Sequence, residues 1–273
     1  MIVVKEFQDK KFATKEDLFK ALRENKEELI ATKKMQTKEA DAVFNVVETS
    51  QKEDYSNKEE NNQNQDPNKL KAKLVINTTN LLDSHSDVHI KGIWNKSVKE
   101  QKNLYLLQEH LMKFDKIISD NVKASVKDYN WSDLGFDMNG TTQALVFDVE
   151  MTKERNPFMF EQYSKGYVKE HSVGMRYVKI ELAINSDSKW DVEEKEVWDK
   201  YINEIANKEV AEAQGYFWAI TEAKIVEGSA VVKGSNFATP TISIEAVSDT
   251  SKEKIKQEPA QVTQTNKRKL SII

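Results

Sequence analysis

A serine, a histidine and two glutamates carry the chemistry this chain can offer, because each lies on or beside an apolar, strand-like run. Ser172 sits in Glu170-His171-Ser172-Val173-Gly174-Met175, at the head of a run that continues to Ile184. His110 closes the run Leu104-Tyr105-Leu106-Leu107-Gln108-Glu109-His110. Glu227 follows the run from Ala219 to Val226, and Glu222 lies inside it. One hydroxyl, one imidazole and one carboxylate held this way can converge as nucleophile, general base and orienting acid. Serines and glutamates are common, so spacing alone is weak evidence. The elements that must position them carry the weight.

The chain has 273 residues, 38% hydrophobic and 32% charged, enough for one domain of moderate size with flanking segments. Its 41 Lys and Arg nearly balance 45 Asp and Glu, for a formal charge of −4, which argues against a general nucleic-acid binder. The absence of cysteine excludes disulfides, thiolate metal sites and a cysteine nucleophile. Met1-Ile2-Val3-Val4 is too short for a signal segment and no run approaches a membrane span, so a cytosolic location is expected.

Residues 13–35 read as helical, with Thr14 ahead of Lys15-Glu16-Asp17 and a stripe of Leu18, Phe19, Leu22, Leu29 and Ile30. A short apolar run follows at Ala42 to Val47, which with the helix makes residues 1–50 an N-terminal segment, expected to target or dock the protein. Residues 51–69 hold one aromatic and no aliphatic side chain; they cannot bury enough surface to offset ordering and read as a flexible linker. The folded unit is expected over 70–247. Strands are predicted at 72–77, 104–108, 122–126, 144–151, 173–184 and 216–226, with a last one at 230–233, and helices at 157–165 and 191–206. Many strands with a few helices predict an α+β fold on an antiparallel sheet or barrel. The polar tail 248–273, with its Lys267-Arg268-Lys269 cluster, reads as disordered and solvated.

Four pieces occur in a fixed order. Leu82-Asp83-Ser84-His85-Ser86-Asp87-Val88-His89-Ile90-Lys91-Gly92 comes first, then the run ending in His110, then His171-Ser172-Val173-Gly174-Met175. Glu227-Gly228-Ser229-Ala230-Val231, with Gly234-Ser235-Asn236 behind it, comes last. This order, covering roughly Leu82 to Thr239, resembles the prohead (capsid maturation) serine proteases of tailed phages. The resemblance implies Ser172 as nucleophile, His110 as general base and Glu227 as third member, with Glu222 the competitor. Five residues apart on a regular strand, the two glutamates would face opposite sides, and Glu227 is favoured by its Glu-x-Ser-x-Val step. Leu111 after the histidine, where the family often has Asp or Asn, and His171 beside the serine depart from the pattern. The implied fold is that of the herpesvirus assembly proteases, a mainly antiparallel closed β-barrel ringed by helices.

The resemblance further implies an endopeptidase without cofactor, acting inside the assembling prohead in the bacterial cytoplasm on scaffold segments, capsid-protein extensions and its own flanks. Partners are then the major capsid protein and the scaffold, with neither membrane nor specific nucleic acid; a homodimer is implied by analogy with the herpesvirus enzymes. One rival is a non-catalytic assembly or scaffolding protein on the same fold. Another is a metal-dependent hydrolase using His85, His89 and His110. Against it, the Ser84- and Ser86-containing stretch lacks helical periodicity, and the resemblance implies a structural turn there instead, with Gly92 supplying permissive dihedrals. The plain alternatives are an ordinary strand serine at 172, a backbone-bonded histidine at 110 and a solvated edge acid at 227.

Overall fold

The computed structural model describes residues 1–35 and 65–248. Two short helices open it, α1 (Lys15–Glu24) and α2 (Lys26–Met35). The Thr14 hydroxyl accepts the Asp17 N–H and caps α1, and the stripe Leu18, Phe19 and Leu22 is buried. The single helix expected over 13–35 breaks at Asn25, whose backbone and side-chain N–H groups both turn back to the Ala21 carbonyl. Phe12, Leu18, Phe19 and Leu22 of this segment belong to the main core of the chain itself. The run 42–47 lies outside the described residues, as do 51–64 of the expected linker and all but the first residue of the expected tail.

The strands are β1 (Gln65–Thr78), β2 (Asp87–His89), β3 (Leu106–Gln108), β4 (Ile117–Ser119), β5 (Asn121–Asn130), β6 (Thr141–Thr152), β7 (Glu170–Ile184), β8 (Tyr216–Val231) and β9 (Thr241–Ser248). Between them lie α3 (Asn95–Glu100), α4 (Pro157–Ser164), α5 (Val192–Tyr201) and α6 (Lys208–Gln214). The first strand begins at Gln65, inside the expected linker, because its pairing with β6 and β9 orders residues too polar to order themselves. The predicted strand at 216–226 and the first half of the one at 230–233 are a single continuous strand, β8, which ends at Val231. Short elements such as β2, β4 and α3, along with α6 and β9, carry too little periodicity to be read from sequence.

Pairing gives two sheets, and the class is α+β. One is wholly antiparallel, in the order β5-β6-β1-β9. The other is mixed: β8 carries antiparallel β7 along one edge and, along its other, parallel β2 and β3, with β4 antiparallel on β3. Among the described residues these pairings do not close into one barrel. Apolar side chains of both sheets, including Leu74, Ile76 and Phe147 from the first and Val173, Met175 and Ile225 from the second, form the shared core. A Cβ on Gly228 would run into Phe147 and Ile76, so at that point β8 presses its backbone against the facing sheet. Glu227 and Ser229 on either side of it therefore project from the opposite face. That face holds the candidate site.

Candidate active site

The histidine is presented by a strained turn. β3 ends at Gln108, and Glu109 and His110 then adopt φ of 51° and 57°, left-handed values that cost a non-glycine residue on the order of 1–2 kcal/mol each. Three bonds hold this turn: Glu109 N–H to the Ala230 carbonyl at 2.9 Å, Leu111 N–H to the Gln108 carbonyl at 3.0 Å, and His110 N–H to Ser229 Oγ at 3.1 Å. The strain is over-determined by the β8 contacts, and its result is to turn the imidazole onto Glu227.

His110 Nδ1 lies 2.6 Å from Glu227 Oε1, and the Ser229 hydroxyl donates to Glu227 Oε2, also at 2.6 Å. The carboxylate is thus held at both oxygens, with its side chain only 3% exposed. Because a carboxylate accepts and does not donate, Nδ1 carries the proton and Nε2 is left as the basic nitrogen. Among the described residues Nε2 is buried with no hydrogen-bond partner. A buried polar atom without a partner is rare enough to require a reason. A base awaiting the proton of a nucleophile is one.

Ser172 sits opposite Ser229 in the β7/β8 ladder, and Gly174 sits opposite Glu227. Directly opposed residues share a face, with Cβ atoms roughly 5 Å apart. The serine hydroxyl thus stands one strand from the group that anchors the His110 turn, on the side of the sheet where His110 meets Glu227. Ser172 Oγ makes no hydrogen bond to His110 in this structure. Glu222 is elsewhere, ion-paired with Lys96 at 3.0 Å and Lys179 at 3.2 Å, both of which hold its carboxyl below the usual range. Simple alternation did not separate the two glutamates: a bulge between Gly174 and Met175 and shifts around Lys179 interrupt the register.

Two site residues escaped the sequence reading. Ser229 was read only as part of the Glu-x-Ser step, yet it ties carboxylate to turn. Gly174 was read only as part of the serine-strand piece, although a glycine inside a strand signals close approach. A Cβ there would collide with Glu227 Oε1. Gly174→Ala is therefore expected to push the carboxylate off His110 and lower any Ser172-dependent rate by about 10²-fold, with little change in the thermal unfolding midpoint. A rate unchanged within twofold would mean that the carboxylate position is immaterial.

His171, the departure beside the serine, is engaged elsewhere. Its ring is fully buried, stacked on Tyr163, with Nε2 3.1 Å from the Tyr163 hydroxyl and Nδ1 3.0 Å from the Thr239 carbonyl. Burial, only partly offset by the Thr239 carbonyl, pulls its pKa down from 6.5 to about 4. The folded state thus binds the proton less well than the unfolded chain. Its contribution to stability is complete above pH 6.5 and is lost as pH falls toward 4, by up to about 3 kcal/mol. Denaturant unfolding measured from pH 7 to 4 checks this, and His171→Gln should flatten the slope.

The three histidines of the metal alternative do not converge. His110 is on Glu227, whereas His89 Nδ1 faces the Asn77 amide and Nε2 lies 3.2 Å from the Tyr177 hydroxyl. Among the described residues no group of three or more His, Asp or Glu side chains is placed to hold a metal. The 83–92 stretch is a turn over 84–86 and another from Lys91, with strand β2 between them rather than the single turn expected. Asp83 Oδ1 accepts the N–H groups of His85 and Asp87, and Gly92 takes φ of 95°. No helix among the described residues is long and apolar enough to cross a membrane. Comparison of the chain with protein-family models, curated proteins and solved structures returns no match.

Proposed function

We propose that this protein is a serine endopeptidase with Ser172 as nucleophile, His110 as general base and Glu227 as its orienting acid. The carrying observation is the His110–Glu227 pair with a buried, unpartnered Nε2 on the face of the sheet that Ser172 shares. His110 Nε2 accepts the hydroxyl proton as Oγ bonds to the carbonyl carbon, and the π pair moves onto oxygen. Collapse breaks the C–N bond and the imidazolium returns the proton to the leaving amine. Water then releases the acyl group by the same route.

The resemblance supplies the biological setting: maturation of a phage capsid, with scaffold segments, capsid-protein extensions and the enzyme's own flanks as substrates. The barrel belongs to this same proposal, since the two sheets share one apolar core and would be its two halves. A non-catalytic assembly protein is favoured by one observation, the lack of a Ser172–His110 hydrogen bond; unliganded sites are often looser than the reacting complex. Treatment of the full-length protein with a fluorophosphonate, followed by intact mass and peptide mapping, separates the two. A single adduct on Ser172 supports the peptidase. No adduct, with the capsid protein of the same genome left at full length on co-expression, puts the assembly protein ahead.

A further inference from the structure

We infer that the oxyanion formed at Ser172 is held by the Val173 backbone N–H and the Asn77 side-chain amide, and that a buried relay beginning at Lys33 orients that amide. The inference rests on the peptidase reading above. Its geometric basis is the edge of β7 that faces away from β8. His171 spends both backbone groups on that edge: its N–H donates to Thr239 Oγ1 at 3.2 Å, and its carbonyl accepts from the same hydroxyl at 2.6 Å. Backbone groups two residues apart on a strand point the same way, so the Val173 N–H also points outward. The opposite strand agrees. Gly228, paired with Val173, donates its N–H to the Tyr105 carbonyl at 3.0 Å, toward β3 and away from β7.

Beside that N–H is a cleft of about 10 Å³ lined by Ser172, Val173, Asn77, His89 and Ser235 among others. This is room for about one water molecule, the space a single oxygen atom needs and far less than a side chain. Asn77 is 2% exposed, and its amide is oriented by a chain of hydrogen bonds with one consistent polarity. Lys33 reaches in from α2 to Asp87 Oδ1 at 2.6 Å. Burial opposes the Lys33 charge, but Asp87 and Glu6 outweigh it and the ammonium is retained. The Tyr177 hydroxyl donates to Asp87 Oδ2 at 2.7 Å, and burial together with Asp87 raises its pKa and keeps it protonated.

Having donated its one proton, the phenol oxygen can only accept from His89, which assigns the proton to Nε2 (3.2 Å). In the neutral ring His89 Nδ1 is then an acceptor, which selects Asn77 Nδ2 at 2.9 Å over Asn77 Oδ1 at 3.1 Å as its partner and leaves Oδ1 to take the Trp94 indole N–H, also at 3.1 Å. The second Nδ2 proton of Asn77 is left for the cleft. Lys33, Asp87, Tyr177 and His89 are positioning residues in this arrangement; Asn77 and Val173 touch the reacting oxygen.

The test compares fluorophosphonate labelling rates of full-length wild type, Asn77→Asp and Tyr177→Phe, with ¹⁵N spectra of the His89 ring. Asn77→Asp keeps volume and the Trp94 acceptor but removes both amide protons, so labelling should slow by about 10²–10³-fold. Tyr177→Phe lies outside the cleft; it should slow labelling about tenfold and move the His89 proton off Nε2. Wild type labelled and Asn77→Asp labelled equally fast overturns this assignment alone. An Nδ1–H tautomer of His89 in wild type overturns the amide orientation whatever the variants do. Wild type that takes no label overturns the peptidase reading, and this one with it.

Discussion

Ser172→Ala, produced with the capsid protein of the same genome, is expected to leave every chain at full length, whereas the wild type trims the capsid protein or itself. The rate should fall by about 10⁶-fold, because nucleophile and base act as a unit and the loss of one forfeits nearly all covalent catalysis. The substitution removes one oxygen atom from a side chain whose residue is 9% exposed and whose neighbours Val173, Ser229 and Gly174 are unaltered, so folding should be preserved. Intact masses read the outcome directly. A single opposed position makes the experiment sharper. Ser229 also lies near His110, but its hydroxyl proton is committed to Glu227 and its oxygen to the His110 N–H. Trimming that survives Ser172→Ala and vanishes in Ser229→Ala would move the nucleophile one strand over and sink the assignment.

Glu227→Gln is expected to cost about 10⁴-fold while leaving the fold intact. Both carboxylate oxygens accept a hydrogen bond, one from His110 and one from Ser229. Glutamine has only one acceptor oxygen. If its oxygen faces Ser229, its NH₂ faces His110 Nδ1, the imidazole proton moves to Nε2, and the base can no longer take the serine proton. If the oxygen faces His110 instead, the Ser229 hydroxyl must turn away and the anchor of the strained turn weakens. Either arrangement also loses the charge that stabilises the imidazolium. Glu222→Gln is the control; its partners are Lys96 and Lys179, and its trimming rate should match wild type. The reverse result, a silent change at 227 and a large loss at 222, would require a different histidine environment in solution.

Several local features could be read directly from residues. The Thr14 cap, the buried stripe of α1, the α4 start at Pro157 and the strand character around 144–151 and 173–184 all follow from propensity and periodicity. The order of the four pieces was legible too; it singled out His110 and Glu227, which the structure brings into contact, and Ser172, whose role belongs to the proposal. What failed did so for nameable reasons. β1 starts inside a stretch too polar to predict because two neighbouring strands order it. β8 was read as two strands because Gly228, placed to admit Phe147, looks like a break.

By itself, then, the sequence determined the α+β class, most long elements and which side chains were chemically capable of acyl transfer. Only the tertiary structure decided which of them meet. Alternation predicts the face of a side chain only while the register is unbroken, and the β7/β8 ladder shifts three times. A left-handed turn of Glu109 and His110 is likewise illegible locally, since glutamate does not favour it and histidine does so too weakly to mark a turn; contacts with β8 impose it. The relay from Lys33 to Asn77 joins five residues from four separate elements, β2, β7, α2 and β1, through bonds no spacing rule connects. Such pairings depend on distances across the sheet, and those exist only after the chain has folded.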